Sequence, residues 1–553
     1  MSSLWPKNRS PSRGGSRNHN RNGNGTGDSN DQESGRPSVS RDPDERTRLL
    51  PHGQPGYLSP DDPAVSPYNL WSIRALRSIT VILFAVTFIW WTFLLVSLFV
   101  TPPGMHTRGS GFFAFGFTTL TLAGLSMNLL LFAIPSLPMT IWGSILAGLL
   151  TIDWIIILSV PRLRVEEGWV GIASAIWAMV LALFYVLRTR SVAWGKREEE
   201  ERLTGREETR RPLREWVAVF GETVTMAVLV LVALLITATL ILRARDASLA
   251  PPGKRYYVNG DTYQVHLACV GPPPPSTSAT NETLPTVLLE AGEGPVEDSL
   301  QPFLDDMRQA GHIARYCYWD RPGLGWSENA PSPYSAGMVA DALSEALALA
   351  STTDKDADPR AEGPWVLVSA GVGSIYSRIF ASRHLLQVQG LLLIDPLHEQ
   401  YLNSRIGAPG RGFLLWLRGI LSPLGVDRLA GAIFKGRTRE DRVFGRSAYQ
   451  GGRAIRARLQ ENLVARSLTA SEIQTARHVQ MADTPLVVVS SGVEVDRSER
   501  WGKAQEELTR VTSNLKHWDT VEGAPHEVWR DVKGRQVLGE RLRALVRGGG
   551  EDV

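Results

Sequence analysis

Residues Trp365 to Phe380 read Trp-Val-Leu-Val-Ser-Ala-Gly-Val-Gly-Ser-Ile-Tyr-Ser-Arg-Ile-Phe, an apolar strand running into a turn of small residues and then a helix. That is the shape of a nucleophile elbow, whose tip sits on a strained turn and needs small neighbours because the backbone packs closely there. The tip position falls on Gly371, which has no side chain, so covalent acyl transfer by the ordinary route is excluded there. Ser369 and Ser374 are the nearest hydroxyls. Strand and turn geometry aim both away from the tip, and packing and helix capping are their ordinary roles. A candidate general base stands far downstream: His526, in Val521-Glu-Gly-Ala-Pro-His526, follows the last predicted strand. Carboxylates of the kind that can orient an imidazole stand at Glu494 and Asp496, after the strand 485–490, and at Asp395, after the strand 390–394. Each of these acids could equally be a structural cap. A water activated by His526, with Gly371 making room for it, is the remaining route.

Positioning these groups takes a sheet. From Arg255 onward short strands alternate with helices, which predicts one α/β domain over residues 246–553. Arg255 to Leu267 alternates around Asn259-Gly260, a pair that accepts positive φ, so it reads as a hairpin. Buried strands follow at Thr286–Glu290, Ile313–Tyr318, 365–370, Gly390–Ile394, Pro485–Ser490 and Trp518–Val521, with a helix over Ser335–Ala350. Together they predict a mostly parallel sheet of about eight strands. Residues 400–482 interrupt the strand pattern as a long insertion.

The first half is of another kind. Five apolar blocks, Ile79–Val100, Phe112–Ile134, Met139–Val160, Trp169–Leu187 and Val217–Leu242, each approach the roughly 20 residues a helix needs to cross a bilayer. They predict a five-span transmembrane module over residues 67–245, with the lipid bilayer as its partner. Residues 1–66 are rich in Asn, Gly, Ser, Arg and Pro and predict a disordered N-terminal tail. The loop between the fourth and fifth blocks carries Arg188, Arg190, Lys196, Arg197, Arg202, Arg206, Arg210, Arg211 and Arg214, which assigns that loop and the N-terminus to the cytosol. The C-terminal domain is then lumenal. Asn281-Glu-Thr is a glycosylation sequon on that side. Glu45-Arg-Thr-Arg-Leu49-Leu50 matches an acidic dileucine sorting signal, which predicts an endomembrane or vacuolar location; the acid-free first 27 residues give a mitochondrial membrane as the alternative. With 59 basic and 56 acidic residues, overall charge implies no partner.

The domain resembles the α/β-hydrolase superfamily over about residues 255–547. Trp319-Asp320-Arg-Pro-Gly323-Leu-Gly325-Trp-Ser327 resembles the D-x-x-G-x-G-x-S segment of its epoxide hydrolase and esterase branches, which makes Asp320, Gly323, Gly325 and Ser327 a structural loop beside the site. Glu290-Ala291-Gly292 stands where the family has its His-Gly oxyanion segment; backbone amides of Ala291, Gly292 and Val372 would stabilise developing negative charge. The insertion at 400–482 takes the place of the family's helical cap, and Phe413–Leu421 predicts a cap helix with an apolar face. Its arginines Arg437, Arg439, Arg442, Arg446, Arg453, Arg456 and Arg458 would favour anionic lipid headgroups or form a solvated surface. Loss of the nucleophile resembles the NDR branch, which keeps this fold without the serine. The whole chain resembles a fungal membrane family that joins a multi-span domain of unknown function to a hydrolase fold.

Cys269 and Cys317 fall on strands that neighbour each other in the usual order of this fold. A cross-strand disulfide would fit an oxidising lumen, and two buried free thiols are the simpler reading. No phosphate loop, cofactor fingerprint, metal-ligand spacing or nucleic-acid motif is present, so neither a cofactor nor a metal is expected. Three functional readings stand. One is a membrane-bound hydrolase of an ester or lipid-like substrate. Another is a catalytically inactive fold that binds a ligand or protein partner. The third has a working five-span module regulated by the domain.

Overall fold

The computed structural model describes residues 67–132, 134–205, 213–272, 285–352, 363–479 and 483–548. The N-terminal tail with its dileucine sequence, and Asn281, lie outside these residues.

Five helices long and apolar enough to cross a membrane come first: α1 (Trp71–Ser97), α2 (Phe112–Leu130), α3 (Leu137–Ser159), α4 (Pro161–Thr204) and α5 (Leu213–Asp246). Small and aromatic side chains interlock at their centre; Tyr185, for example, reaches across to donate to the Thr121 carbonyl at 2.8 Å. The outward faces carry exposed Ile82, Ile89, Phe93, Ile141, Val228 and Leu231, as lipid-facing helices do. Helix α4 breaks at Gly168 (φ 61°) and then runs on through Lys196–Arg202, so the charged run expected as a loop is a helical extension of the span. There Glu199 accepts from Asn69 (3.0 Å), and Lys196 lies 3.5 Å from Glu215, which gathers the ends of α1, α4 and α5 at one end of the bundle.

The α/β domain grips the opposite end. Its strands are β1 (Lys254–Val258), β2 (Tyr263–Val270), β3 (Thr286–Glu290), β4 (Tyr316–Asp320), β5 (Trp365–Ala370), β6 (Val388–Ile394), β7 (Leu486–Ser491) and β8 (Leu515–Val521). They form one sheet in the order β1-β2-β4-β3-β5-β6-β7-β8, antiparallel at β1–β2 and β2–β4 and parallel thereafter. The expected hairpin turn is present, with Asn259 at φ 56° and Gly260 at φ 63°. Alternation along β5 sends Trp365 and Leu367 to one core layer and Val366, Val368 and Ala370 to the other, so the sheet is buried on both faces. Helices α6 (Gln301–Gln309), α7 (Ala336–Thr352), α8 (Gly373–Arg383), α14 (Gly492–Arg497), α15 (Glu499–Leu508) and α16 (Val532–Val546) accompany the strands; α9 (Arg411–Leu421), α10 (Val426–Phe434), α11 (Arg439–Val443), α12 (Gly452–Val464) and α13 (Leu468–His478) form the insertion between β6 and β7.

Two expectations change here. Cys269 and Cys317 sit directly opposite each other in the β2–β4 register and are joined as a disulfide, so they are not free thiols. The cap arginines are not mainly a solvated or lipid-facing surface. Arg442 and Arg428 converge on Asp246 at the end of α5, Arg453 lies 3.6 Å from Glu166, and Arg456 is buried, donating to Thr107 Oγ1 and the Ser110 carbonyl in the loop before α2. The span ends and the loop before α2 present buried carbonyls and carboxylates, and buried acceptors of that kind need donors. The cap supplies them, aided by Gln460 to the Leu98 carbonyl (3.1 Å) and Asn329 to the Gly109 carbonyl (3.0 Å).

Candidate functional site

Strand β5 ends at Ala370, and Gly371 takes φ 48° before α8 begins at Gly373. The turn is held from both sides: the Gly371 amide donates to the Ile394 carbonyl, and the Leu397 amide to the Gly371 carbonyl. Gly373 packs directly on the Ala291 carbonyl, where a Cβ would clash, which is why the elbow needs glycine on its helix side. The two nearby serines have settled roles. Ser369 Oγ pairs with Ser377 Oγ at 2.8 Å, while Ser374 Oγ donates to the Gly371 carbonyl and accepts from the Leu397 amide.

His526 stands on the loop after β8, its side chain 29% exposed. Its Nδ1 lies 2.5 Å from Asp395 Oδ2, at the end of β6. Asp395 is fully buried, takes the unusual φ of 39°, and also accepts from the Ser491 amide and Trp501 Nε1, so its position is fixed from three directions. Glu494 instead faces Arg405 and Arg497, and Asp496 shares its short helix α14.

The space expected to be open at the elbow tip holds a carboxylate. A Cβ built on Gly371 would lie 2.8 and 2.9 Å from the two Glu293 oxygens and 3.0 Å from His526 Nε2. Glu293 Oε2 is itself 3.5 Å from His526 Nε2. The imidazole is therefore clasped between two acids. Burial would lower its pKa, but hydrogen bonds to Asp395 and Glu293 raise it to about 10, so the ring is an imidazolium at neutral pH. Glu293, its side chain more than half exposed, is held below the usual carboxylate range by its bond to that cation. Glu293 was missed in the sequence because it lies just past the oxyanion segment. The signal was an acid three residues after Glu290 in a chain whose nucleophile position is glycine.

The oxyanion segment is pinned elsewhere. Arg321 donates to the carbonyls of Ala291 (2.8 Å) and Gly292 (2.6 Å) and to Glu290 (2.9 Å), which also accepts from Trp319 Nε1. Glu290 thus anchors Arg321; burial raises its pKa to about 7 against the opposing arginine. Val372 opens onto a cavity of about 320 Å³, lined also by Glu293, His526, Leu397, Ile406, Glu461, Arg405, Arg411 and Arg458. That is the size of a small ligand site, walled on the cap side by three guanidinium groups.

The structural loop expected around Asp320 is itself a His–Asp assembly. Asp320 Oδ2 lies 2.9 Å from His266 Nδ1 and accepts from the Trp326 amide; Ser327 Oγ donates to the Asp320 carbonyl. Gly323 and Gly325 both have positive φ, and a Cβ at either would strike a neighbour. Ligand-type atoms of His266, Glu297 and Asp320 lie within 4.8 Å of one another. Both His266 nitrogens are already engaged, by Asp320 and by the Pro252 carbonyl, which leaves only the two carboxylates to face a cation.

Residues 45–269 match a family model described as a region of unknown function, DUF2417. An uncharacterized protein of Schizosaccharomyces pombe is 33% identical over 544 residues, covering 91% of this chain and 97% of its own. An uncharacterized vacuolar membrane protein of Saccharomyces cerevisiae is 27% identical over 392 residues, 61% of this chain and 59% of its own. A probable hydrolytic enzyme from Pseudomonas aeruginosa aligns with 54% of this chain and 93% of its own, at 14% identity and a TM-score of 0.36. The fold assignment rests on the domain's own strand order and elbow. The chain belongs to one family with the Schizosaccharomyces pombe protein, and in it a DUF2417 region is joined to a domain of α/β-hydrolase fold.

Proposed function

We propose that the α/β domain is a ligand-binding module built on a hydrolase scaffold, in which the acyl-transfer site has been closed by an ion pair. The observation that carries this is the Glu293 carboxylate in the nucleophile's space, salt-bridged to a His526 that Asp395 also holds. An imidazolium cannot accept a proton from a hydroxyl or a water, so the general-base step has no base at neutral pH. The ligand would occupy the adjoining cavity. The test is ester turnover by the full-length protein with short and long acyl esters: none is expected from wild type, and turnover is expected in the double variant Gly371→Ser, Glu293→Ala.

A second reading uses the same carboxylate as a reactant. Glu293 would attack the ester carbonyl to give an acyl anhydride, and protonated His526 would hand its Nε2 proton to the departing alkoxide. The neutral imidazole would then take a proton from the water that opens the anhydride, restoring the glutamate and the imidazolium. Wild-type turnover abolished by Glu293→Gln would favour it.

The module is proposed to reside in the vacuolar or a related endomembrane, with the N-terminus cytosolic and the α/β domain lumenal. The basic stretch 188–214, the vacuolar membrane relative and the disulfide support this.

A further inference from the structure

Helix α9 turns Phe413, Leu414, Leu417 and Leu421 to one exposed face, and α10 does the same with Val426, Ile433 and Phe434. Seven large apolar side chains on two adjacent short helices form a patch that a water-facing cap has no reason to carry. Their level relative to the spans explains it. Gly419 packs on the ring of Phe112, the first residue of α2, and Pro423 approaches Gly116 one turn further in. Gly425 rests against Thr239, seven residues before α5 ends at Asp246, a depth of about 10 Å at 1.5 Å per residue. Ile241, beside it on α5, belongs to the outward-facing apolar belt. The patch on α9 and α10 therefore continues the lipid-facing surface of the spans. Exposed Arg418 and Lys435 border it, placed as cations are when their stems lie in the interface and their heads reach the phosphates.

The same helix carries a wall of the cavity. Arg411 opens α9, while Arg405 precedes it and Arg458 projects from α12, its Nη2 donating to the Glu293 carbonyl at 3.1 Å. Arg405 is stacked 4.3 Å over Trp501, and Arg458 4.5 Å over Tyr449, so both guanidinium groups are preorganised. We propose that α9 and α10 lie in the interfacial layer of the membrane and that the cavity takes the anionic headgroup of a phospholipid from that leaflet. The headgroup assignment rests on the binding-module reading; the membrane seat does not.

The seat is tested on the full-length protein in nanodiscs containing doxyl-labelled lipid. Both native cysteines are in the disulfide, so Leu414→Cys and Phe434→Cys each supply one thiol for an environment-sensitive fluorophore. Ile241→Cys marks the span belt, and Leu386→Cys, fully exposed between α8 and β6, marks water. Quenching at 414 and 434 comparable to 241, and several-fold above 386, is expected; quenching at the level of 386 overturns the seat. For the headgroup, thermal unfolding of the detergent-purified full chain is followed with phosphatidylserine, phosphatidylcholine or inorganic phosphate. Phosphatidylserine alone should raise the Tm by several degrees, with the rise lost in Arg458→Gln and kept in Arg446→Gln. An equal rise from phosphatidylcholine, a rise from phosphate, no rise at all, or a rise that survives Arg458→Gln overturns the headgroup assignment. Ester turnover decides the closed-site reading separately.

Discussion

Among its described residues the α/β domain has two His–Asp pairs, each with a glutamate close by, and they do different things. His266 and Asp320 are both wholly buried and are held by the Pro252 carbonyl, the Trp326 amide and the Ser327 hydroxyl. His526 and Asp395 share the same side-chain contact, but the histidine is partly exposed and faces the elbow and the cavity. The glutamates diverge as well. Glu297, whose carboxylate oxygens are buried, is pushed up to about 9 by burial and by Asp320, while Glu293 stays ionised against His526. Residue type alone therefore assigns neither pair a role. What separates them is access: one pair cross-links a loop, and the other meets whatever enters the cavity.

The two pairs should differ most in what their loss costs the fold. His266→Ala would strand a buried Asp320 without its partner, and a loss of about 3 to 5 kcal/mol is expected. His526→Ala, where water can reach the lost contact because the ring is 29% exposed, should cost less. Chemical denaturation of the two full-length variants in detergent checks this, and equal losses would erase the distinction. A pH series sharpens it. The folded pKa of His526 lies above its ordinary 6.5, so its stabilisation is fully present below about pH 6.5 and fades as pH rises through about 10. Wild type should lose more stability over that window than His526→Gln. A smaller effect, below about 1 kcal/mol, is expected for Glu293→Ala, because that acid is more than half exposed and its pairing is screened. The same variant should move the His526 transition downward, read by its ring proton shifts. Finally, maleimide labelling of the protein in freshly isolated membranes should be absent until reductant is added; immediate labelling of Cys269 and Cys317 would contradict the paired state.

Much of this architecture was legible in the residues. The five apolar blocks are set by bilayer thickness, and the strand alternation with its Asn259-Gly260 turn specifies the hairpin and sheet. The elbow was legible because close packing demands small residues at Gly371 and Gly373. Contacts between distant parts of the chain were not. The direction of Arg442, Arg453 and Arg456 depends on acceptors far away in the chain, at the span ends and in the loop before α2, so local composition read them as surface. The carboxylate partner of His526 was narrowed to three acids, and only the geometry of the β6 end brings Asp395 to the ring. Glu293 escaped because its role exists only where a loop after β3 crosses the tip of β5.

The measurement that bears most directly on the closed site is ester turnover by the full-length protein in nanodiscs, as wild type, as Gly371→Ser with Glu293→Ala, and as that double variant with His526→Ala. The account predicts no turnover by wild type, turnover by the double variant, and its loss when His526 is removed. Turnover by wild type, abolished by Glu293→Gln, would contradict it and make Glu293 the nucleophile of a working hydrolase.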